Sequence, residues 1–356
     1  MKLRALPLLA LLAAACSHRF DPRLADVPIA GRPWVSTERQ DHPLVGKVWE
    51  PRAGRFVDEA TLDAAVVAAD FAFLGEVHDN PDHHLLQARL LHAILASGRR
   101  PAVGFEMLEI DQQKAVDASL AAAPKDPDAL GKAVAWDETG WPEFRWYRPI
   151  FAAALDAGLP IVATNLSRAQ LREVHKKGRD ALPEGVKTRL AREEPVPEAT
   201  LKALRGEMAQ SHCGALPESM VDPLVLAQRA RNAVMAERLE AAAGDRGGVL
   251  ITGSGHVRND RGVPAFVARA LPGARRVSVA FMEVLSGVTD PAAYKENEED
   301  VGPEPFDFVV FTPGAKREDP CVAFREHMKA RAEQAAKEGA KPPAPKAEPA
   351  PAAPAP

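Results

Sequence analysis

The chain has 356 residues, a net charge of -4, 46% hydrophobic and 26% charged residues. That suffices for one large or two ordinary globular domains with a proper core. The charge balance gives no overall basic field, so nothing draws the chain to nucleic acid. Clusters such as Lys176-Lys177-Gly178-Arg179 sit among acids and read as solvated surface.

Lys2 and Arg4 precede an apolar run, Ala5 to Ala15, that is too short to span a bilayer. Small residues at 13–15 then meet Cys16. The pattern resembles a bacterial lipoprotein signal over 1–15, with cleavage before Cys16 and lipid on its sulfur. Ala13 stands where such signals usually have a large aliphatic residue, and an ordinary secretory signal is the alternative. Ser17 after the cysteine implies, by the same resemblance, the outer membrane and a periplasm-facing protein. Residues 16–45 are polar and proline-containing and read as a tether. Cys213 and Cys321 have the option of pairing in an oxidising compartment, though nothing in their spacing demands it.

The domain proper is expected over 46–312. Short apolar runs predict strands at 71–74, 101–105, 160–164, 247–251, 276–281 and 306–311. Helical periodicity separates the first three, which predicts an α/β fold with a mostly parallel sheet flanked by helices. The stretches at about 108–148 and 168–243 contain no clear strand and predict a smaller all-helical subdomain. After Asn80, which suits a helix cap, come Pro81 in the first turn and Leu86, Leu90 and Ile94 at helical spacing. Residues 313–356 read as a charged and then Pro/Ala-rich disordered tail, with an exposed helix over 324–340.

Polar groups end four of these strands. Glu76 and His78 follow the first, with Asp79, Asn80, His83 and His84 close behind. Glu106 follows the second, Asn165 the third, and Gly253-Ser254-Gly255-His256 the fourth. In a parallel sheet these gather on the rim where ligands bind. Gly75-Glu-Val-His78 and Gly253-Ser-Gly-His256 share a spacing, in which glycine is expected to let the chain turn sharply. Two histidines and two carboxylates, Glu76, His78, Glu106 and His256, suit a divalent transition metal. They also suit acid/base catalysis if burial raises a carboxylate's pKa. Of His83 and His84, adjacent on a helix, one is expected to face the cleft and the other solvent. A structural network among the loops is the competing reading.

Trp136, Trp141, Trp146 and Tyr147 fall in one short stretch, which reads as core packing or as a flat wall for a planar ligand. A tyrosine phenolate is able to ligate haem iron, and Arg145 and Arg148 suit its propionates. Ser211-His212-Cys213 is no catalytic dyad, since such partners meet through the fold.

The run Leu74-Gly-Glu-Val-His-Asp-Asn-Pro-Asp-His-His84 with Gln87 resembles the signature of the ChaN family of haem-binding lipoproteins. Phe105-Glu-Met107, Trp141 through Ile150, Asn165 with Arg168, Ala227 to Ala236, and Gly253 to His256 with Arg258 and Gly262-Val-Pro264 follow in order. The resemblance covers about 45–285. It implies a haem-binding outer-membrane protein of iron acquisition, a homodimer enclosing stacked haems, and an outer-membrane receptor as partner. It places the axial ligand at Tyr147, with Arg148 and His212 in support, and Asp79, Asn80, His83, His84, Asn165, Arg168 and Arg258 about the cleft. The same Gly-x-x-His pattern resembles the wider superfamily of Tiki-type metalloproteases and erythromycin esterase-like proteins. That likeness implies a metal-dependent hydrolase built on Glu76, His78, Glu106 and His256.

Overall fold

The computed structural model describes residues 20–294, 304–319, 321–322, 324–326, 329–330 and 333. The signal at 1–15, the lipidation site Cys16 and the Pro/Ala-rich end lie outside the described residues.

In chain order the elements are β1 (Val48–Glu50), β2 (Arg55–Val57), α1 (Glu59–Ala68), β3 (Phe71–Glu76), α2 (Pro81–Ala96), β4 (Ala102–Glu109), α3 (Gln113–Ala122), α4 (Pro127–Ala133), α5 (Phe144–Asp156), β5 (Ile161–Asn165), α6 (Arg168–Lys177), α7 (Glu184–Arg192), α8 (Glu198–Ser211), α9 (Glu218–Ala243), β6 (Gly248–Gly253), α10 (Val263–Ala270), β7 (Arg276–Glu283) and β8 (Phe308–Thr312). Eight strands form one sheet in the order β2-β1-β8-β7-β3-β6-β4-β5. All pairings from β8 to β5 are parallel, and only β1 pairs antiparallel, with β2 and β8.

From β3 the chain moves outward to β4 and β5 through α2 and α5. It returns inward to β6 and then β7 through α9 and α10. Crossovers of one hand require the outward and return helices to lie on opposite faces. Two separate apolar cores follow. One joins α1, α2 and α5 to the sheet, the other α6, α7, α9 and α10. β3, β4 and β6 are buried on both faces, which explains their continuous apolar runs. The stretches expected to be helical hold α3 and α4, and α6 to α9.

Both ends of the domain are tied down more firmly than a tether or tail. Asp82 accepts backbone N–H bonds from Val35 (3.0 Å) and Ser36 (2.7 Å), so the chain before 45 wraps α2. Beyond β8, Arg317 pairs with Asp79 (2.7 Å) and Glu283 (2.7 Å). A disulfide joins Cys321 to Cys213 after α8. The ordered chain therefore runs past 312, because these charges and the covalent link hold it.

Candidate functional site

The strand register builds the rim. Glu76, the last residue of β3, lies level with Gly253 of β6, and Phe105 of β4 is level with Ile251. Glu76, Glu106 and Asn165 lie within their strands rather than after them, since each strand continues past the apolar run that marks it.

Both glycines of the Gly-x-x-His pairs serve close approach, not a turn. Neither has positive φ. A Cβ on Gly75 would meet Val257 Cγ2 at 2.4 Å and Ser254 Cα at 2.9 Å. One on Gly253 would meet the His78 imidazole at 3.0 Å. Each motif thus occupies the space left by the other's glycine, which fixes the two histidines at one mouth.

Two carboxylate clusters face each other there. Glu76 is 2% exposed. Its Oε1 accepts from Tyr147 Oη (2.6 Å) and His78 Nδ1 (2.9 Å). Its Oε2 lies 3.1 Å from His84 Nδ1, and His84 Nε2 donates to the His78 carbonyl at 2.9 Å. Glu106, equally buried, accepts from the Thr252 hydroxyl (2.6 Å) and the Gly253 N–H (2.8 Å) at Oε2, and from Arg231 at Oε1. His256 Nε2 stands 3.4 Å from the same oxygen, while its Nδ1 bonds Asn232. Arg231 also donates to Asn165 Oδ1 at 3.0 Å.

These partners set the charges. Burial opposes ionisation of Glu76, but His84 and His78 overcome it and hold the carboxyl down at about 2. Burial likewise opposes Glu106, and His256 and Arg231 hold it well below the usual range. Neither glutamate becomes a raised-pKa acid, because both found cations. Burial pushes His78 down, yet the Glu76 and Glu106 carboxylates lift it above its ordinary value. His256 stays lowered, chiefly by burial. Tyr147 and His78 take one Glu76 oxygen, His84 stands against the other, and Thr252, Gly253 and Arg231 hold Glu106, so the four residues do not gather as a metal centre. Among the described residues no group of three or more His, Cys, Asp or Glu is placed to hold a metal ion.

Around the mouth the other expected residues divide. The Trp141 ring meets the His78 ring edge-on at 4.9 Å and stays partly exposed. Trp136 packs in the core against Tyr147 and Phe151. His83 faces neither cleft nor solvent. Its Nδ1 accepts the Val77 N–H (2.8 Å) and its Nε2 donates to Thr312 Oγ1 (2.8 Å). Asn80 bonds Glu283 and the Pro313 carbonyl, and Asp79 holds Arg317, so both anchor the C-terminal strap. Arg168 reaches Glu109 and Thr139. Arg258 is buried, paired with Asp260 and set over Phe306.

The expected ligand set does not assemble. Tyr147 is fully buried, and burial with the Glu76 carboxylate pushes its pKa well up, so the phenolate a ferric iron needs is disfavoured. Arg148 is occupied by Asp128 at 3.0 Å. His212 ends α8, and none of Tyr147's partners is His212. Sequence reasoning passed over Arg231 and Asn232. Gln228, Arg231 and Asn232 recur at three- and four-residue spacing on α9, which sets them on one face of the helix.

An open, mainly parallel α/β sheet whose strand ends gather ionised glutamates and imidazoles defines a ligand-binding class of fold. Residues 63–267 match the family model described as haem-binding uptake, Tiki superfamily, ChaN, and the chain belongs to that family. It is similar in fold to ChaN of Campylobacter jejuni, solved with cofacial haem binding. The two are 18% identical over 75% of this chain and 97% of that one, with a TM-score of 0.58. Fainter likenesses join it to an erythromycin esterase mutant in its open conformation (15% identity, 73% and 80% of the two chains, TM-score 0.36). A Bacillus cereus protein is fainter still in sequence (10% identity, 71% and 90%, TM-score 0.36). No curated protein matches the sequence.

Proposed function

We propose that this chain is a lipid-anchored haem carrier of iron acquisition, held at the outer membrane through Cys16 and facing the periplasm. In this reading it works as a homodimer and passes haem to or from an outer-membrane receptor. Membership of a haem-binding uptake family carries the reading. The Cys213–Cys321 disulfide supports an oxidising compartment, where such bonds persist. Haemin titrated into the purified chain in detergent gives a shifted Soret band. Tyr147→Phe leaves that band in place, because the phenol is already committed to Glu76. A wild-type spectrum identical to free haemin sinks the reading.

One observation favours a second activity at the mouth. Glu76 orients His78 through Nδ1 and leaves Nε2 as a lone pair on a partly exposed ring. A carboxylate-oriented imidazole of this kind serves as a general base. For an ester, His78 takes a proton from water, the hydroxide adds to the acyl carbon, and the proton passes to the departing alkoxide oxygen. The lifted His78 pKa predicts that hydrolysis rises with pH above 6.5, as the base form fills. Assays across an ester panel check this. Activity that survives His78→Ala, or none in the wild type, removes the hydrolytic reading.

A further inference from the structure

α9 carries a buried cation that the fold leaves unmatched. The Arg229 side chain is 9% exposed, and its Nη2 has no hydrogen-bond partner among the described residues. A carboxylate oxygen, Glu194 Oε1, lies 3.8 Å from its Nη1, outside hydrogen-bonding reach. That oxygen is already taken by Arg179. Glu193, the neighbouring carboxylate, is held by Arg269 at 2.6 Å. Other well-covered arginines are matched: Arg189 meets Glu240 at 2.6 Å and Arg317 meets Glu283 at 2.7 Å. A guanidinium stays charged and carries five N–H donors, so burying one without acceptors is costly.

The unmatched cation borders open space. Arg229 lines a groove of about 630 Å³ with Arg179, Glu194, Pro195, Val196 and Leu201. That volume falls within the roughly 300–1,000 Å³ of small-molecule sites. The groove forms where the turn after α6, the α7–α8 turn and the start of α8 meet α9. It is not the mouth described above. Two residues on, Arg231 points about 200° away around α9, to Glu106.

The lining states what fits. Two guanidiniums against one carboxylate leave an excess of one positive charge. The planar fork of an arginine suits the paired oxygens of a carboxylate or phosphate. Burial, and then the like charge of Arg179, act against the Arg229 cation, which an added anion relieves. Glu194 stands beside the same seat and repels a second negative charge. Pro195, Val196 and Leu201 give the groove an apolar wall.

We infer that this groove binds a small aliphatic monocarboxylate, its carboxylate on Arg229 and Arg179 and its apolar body against Pro195, Val196 and Leu201. Glu194 sets the charge preference, since it disfavours the dianion of a phosphate monoester. The site stands apart from the haem reading and does not depend on it.

Calorimetric titration of the full chain at fixed ionic strength tests this, with butyrate, butyl phosphate and butyramide as probes. Butyrate is expected to bind, butyl phosphate more weakly, and the uncharged butyramide not at all. Arg229→Met is expected to weaken butyrate binding at least about tenfold without lowering Tm, because it removes a buried cation that lacks a partner. Arg229→Lys keeps the charge without the fork and falls between the two. Glu194→Gln is expected to tighten binding of both anions, butyl phosphate the more, which a merely structural glutamate would not do. If Arg229→Met fails to fold, Glu194→Gln decides alone. Butyrate that does not bind wild type at about 10 mM overturns the site. Butyramide binding equal to butyrate, folded Arg229→Met binding like wild type, or Glu194→Gln with unchanged affinities does the same.

Discussion

Between pH 6.5 and 3 the folded chain loses about 5 kcal/mol of stability through one buried imidazole, His83. Unfolded, this histidine takes a proton near pH 6.5. Folded, burial holds its pKa down at about 3. Its Nδ1 accepts a backbone N–H and its Nε2 proton is spent on Thr312, so no site remains for a second proton. Within the window the unfolded state binds one more proton than the folded state, and stability falls by roughly 1.4 kcal/mol per pH unit. Glu76, depressed from 4.5 to about 2, acts in the same direction below pH 4.5. His256, His175 and His212 are also lowered by burial and steepen the slope. His78, raised, acts above pH 6.5 with opposite sign. Urea unfolding at a series of pH values reads the slope directly. His83→Gln removes about one proton from it, though the variant is less stable throughout because Val77 and Thr312 lose their partner. A wild-type stability that is flat from pH 6.5 to 4.5 defeats this account.

That role for His83 was not legible in sequence, and the reason is physical. Adjacent residues on a helix point about 100° apart, which sends one of the pair away from the cleft but does not say into what. Here the first turn of α2 reaches the end of β8, and a chain segment 229 residues away supplies the threonine. The parallel sheet was legible because its central strands are buried on both faces and read as unbroken apolar runs. β1 and β2 were not, since three-residue strands with mixed burial carry no periodicity. Convergence of Glu76, Glu106 and His256 followed from parallel topology alone and stands. What their convergence does depends on partners from elsewhere. Arg231 and Asn232 came from a helix interior and Tyr147 from an aromatic stretch, and these turned a metal-like quartet into two closed ion clusters. A tyrosine beside two arginines looks like a haem ligand until packing shows the hydroxyl turned inward onto a carboxylate.

Glu106→Ala is expected to cost 3–5 kcal/mol, on the order of 10 °C in Tm, as breaking a buried ion pair does. The carboxylate is 2% exposed and accepts from Arg231, Thr252 and Gly253 while His256 stands beside it. Removing it strands a guanidinium that is only one-fifth exposed, together with a hydroxyl and a strand N–H inside the sheet. Glu106→Gln keeps an acceptor for Thr252 and Gly253 and loses only the charge, so it costs less. Arg231→Met in the Glu106→Ala background removes the orphaned cation and recovers part of the loss, which a double-mutant cycle measures. Two roles for the mouth predict different outcomes. If the cluster exists to hold β4, β6 and α9 together, every variant tracks stability and haemin binding is unmoved. If it tunes His78 for chemistry, Glu106→Gln lowers the His78 pKa, because one of the two carboxylates that lift it has gone. Titrating the His78 ring protons by NMR in wild type and Glu106→Gln decides between them. A Glu106→Ala chain within 1 kcal/mol of wild type contradicts the ion cluster itself.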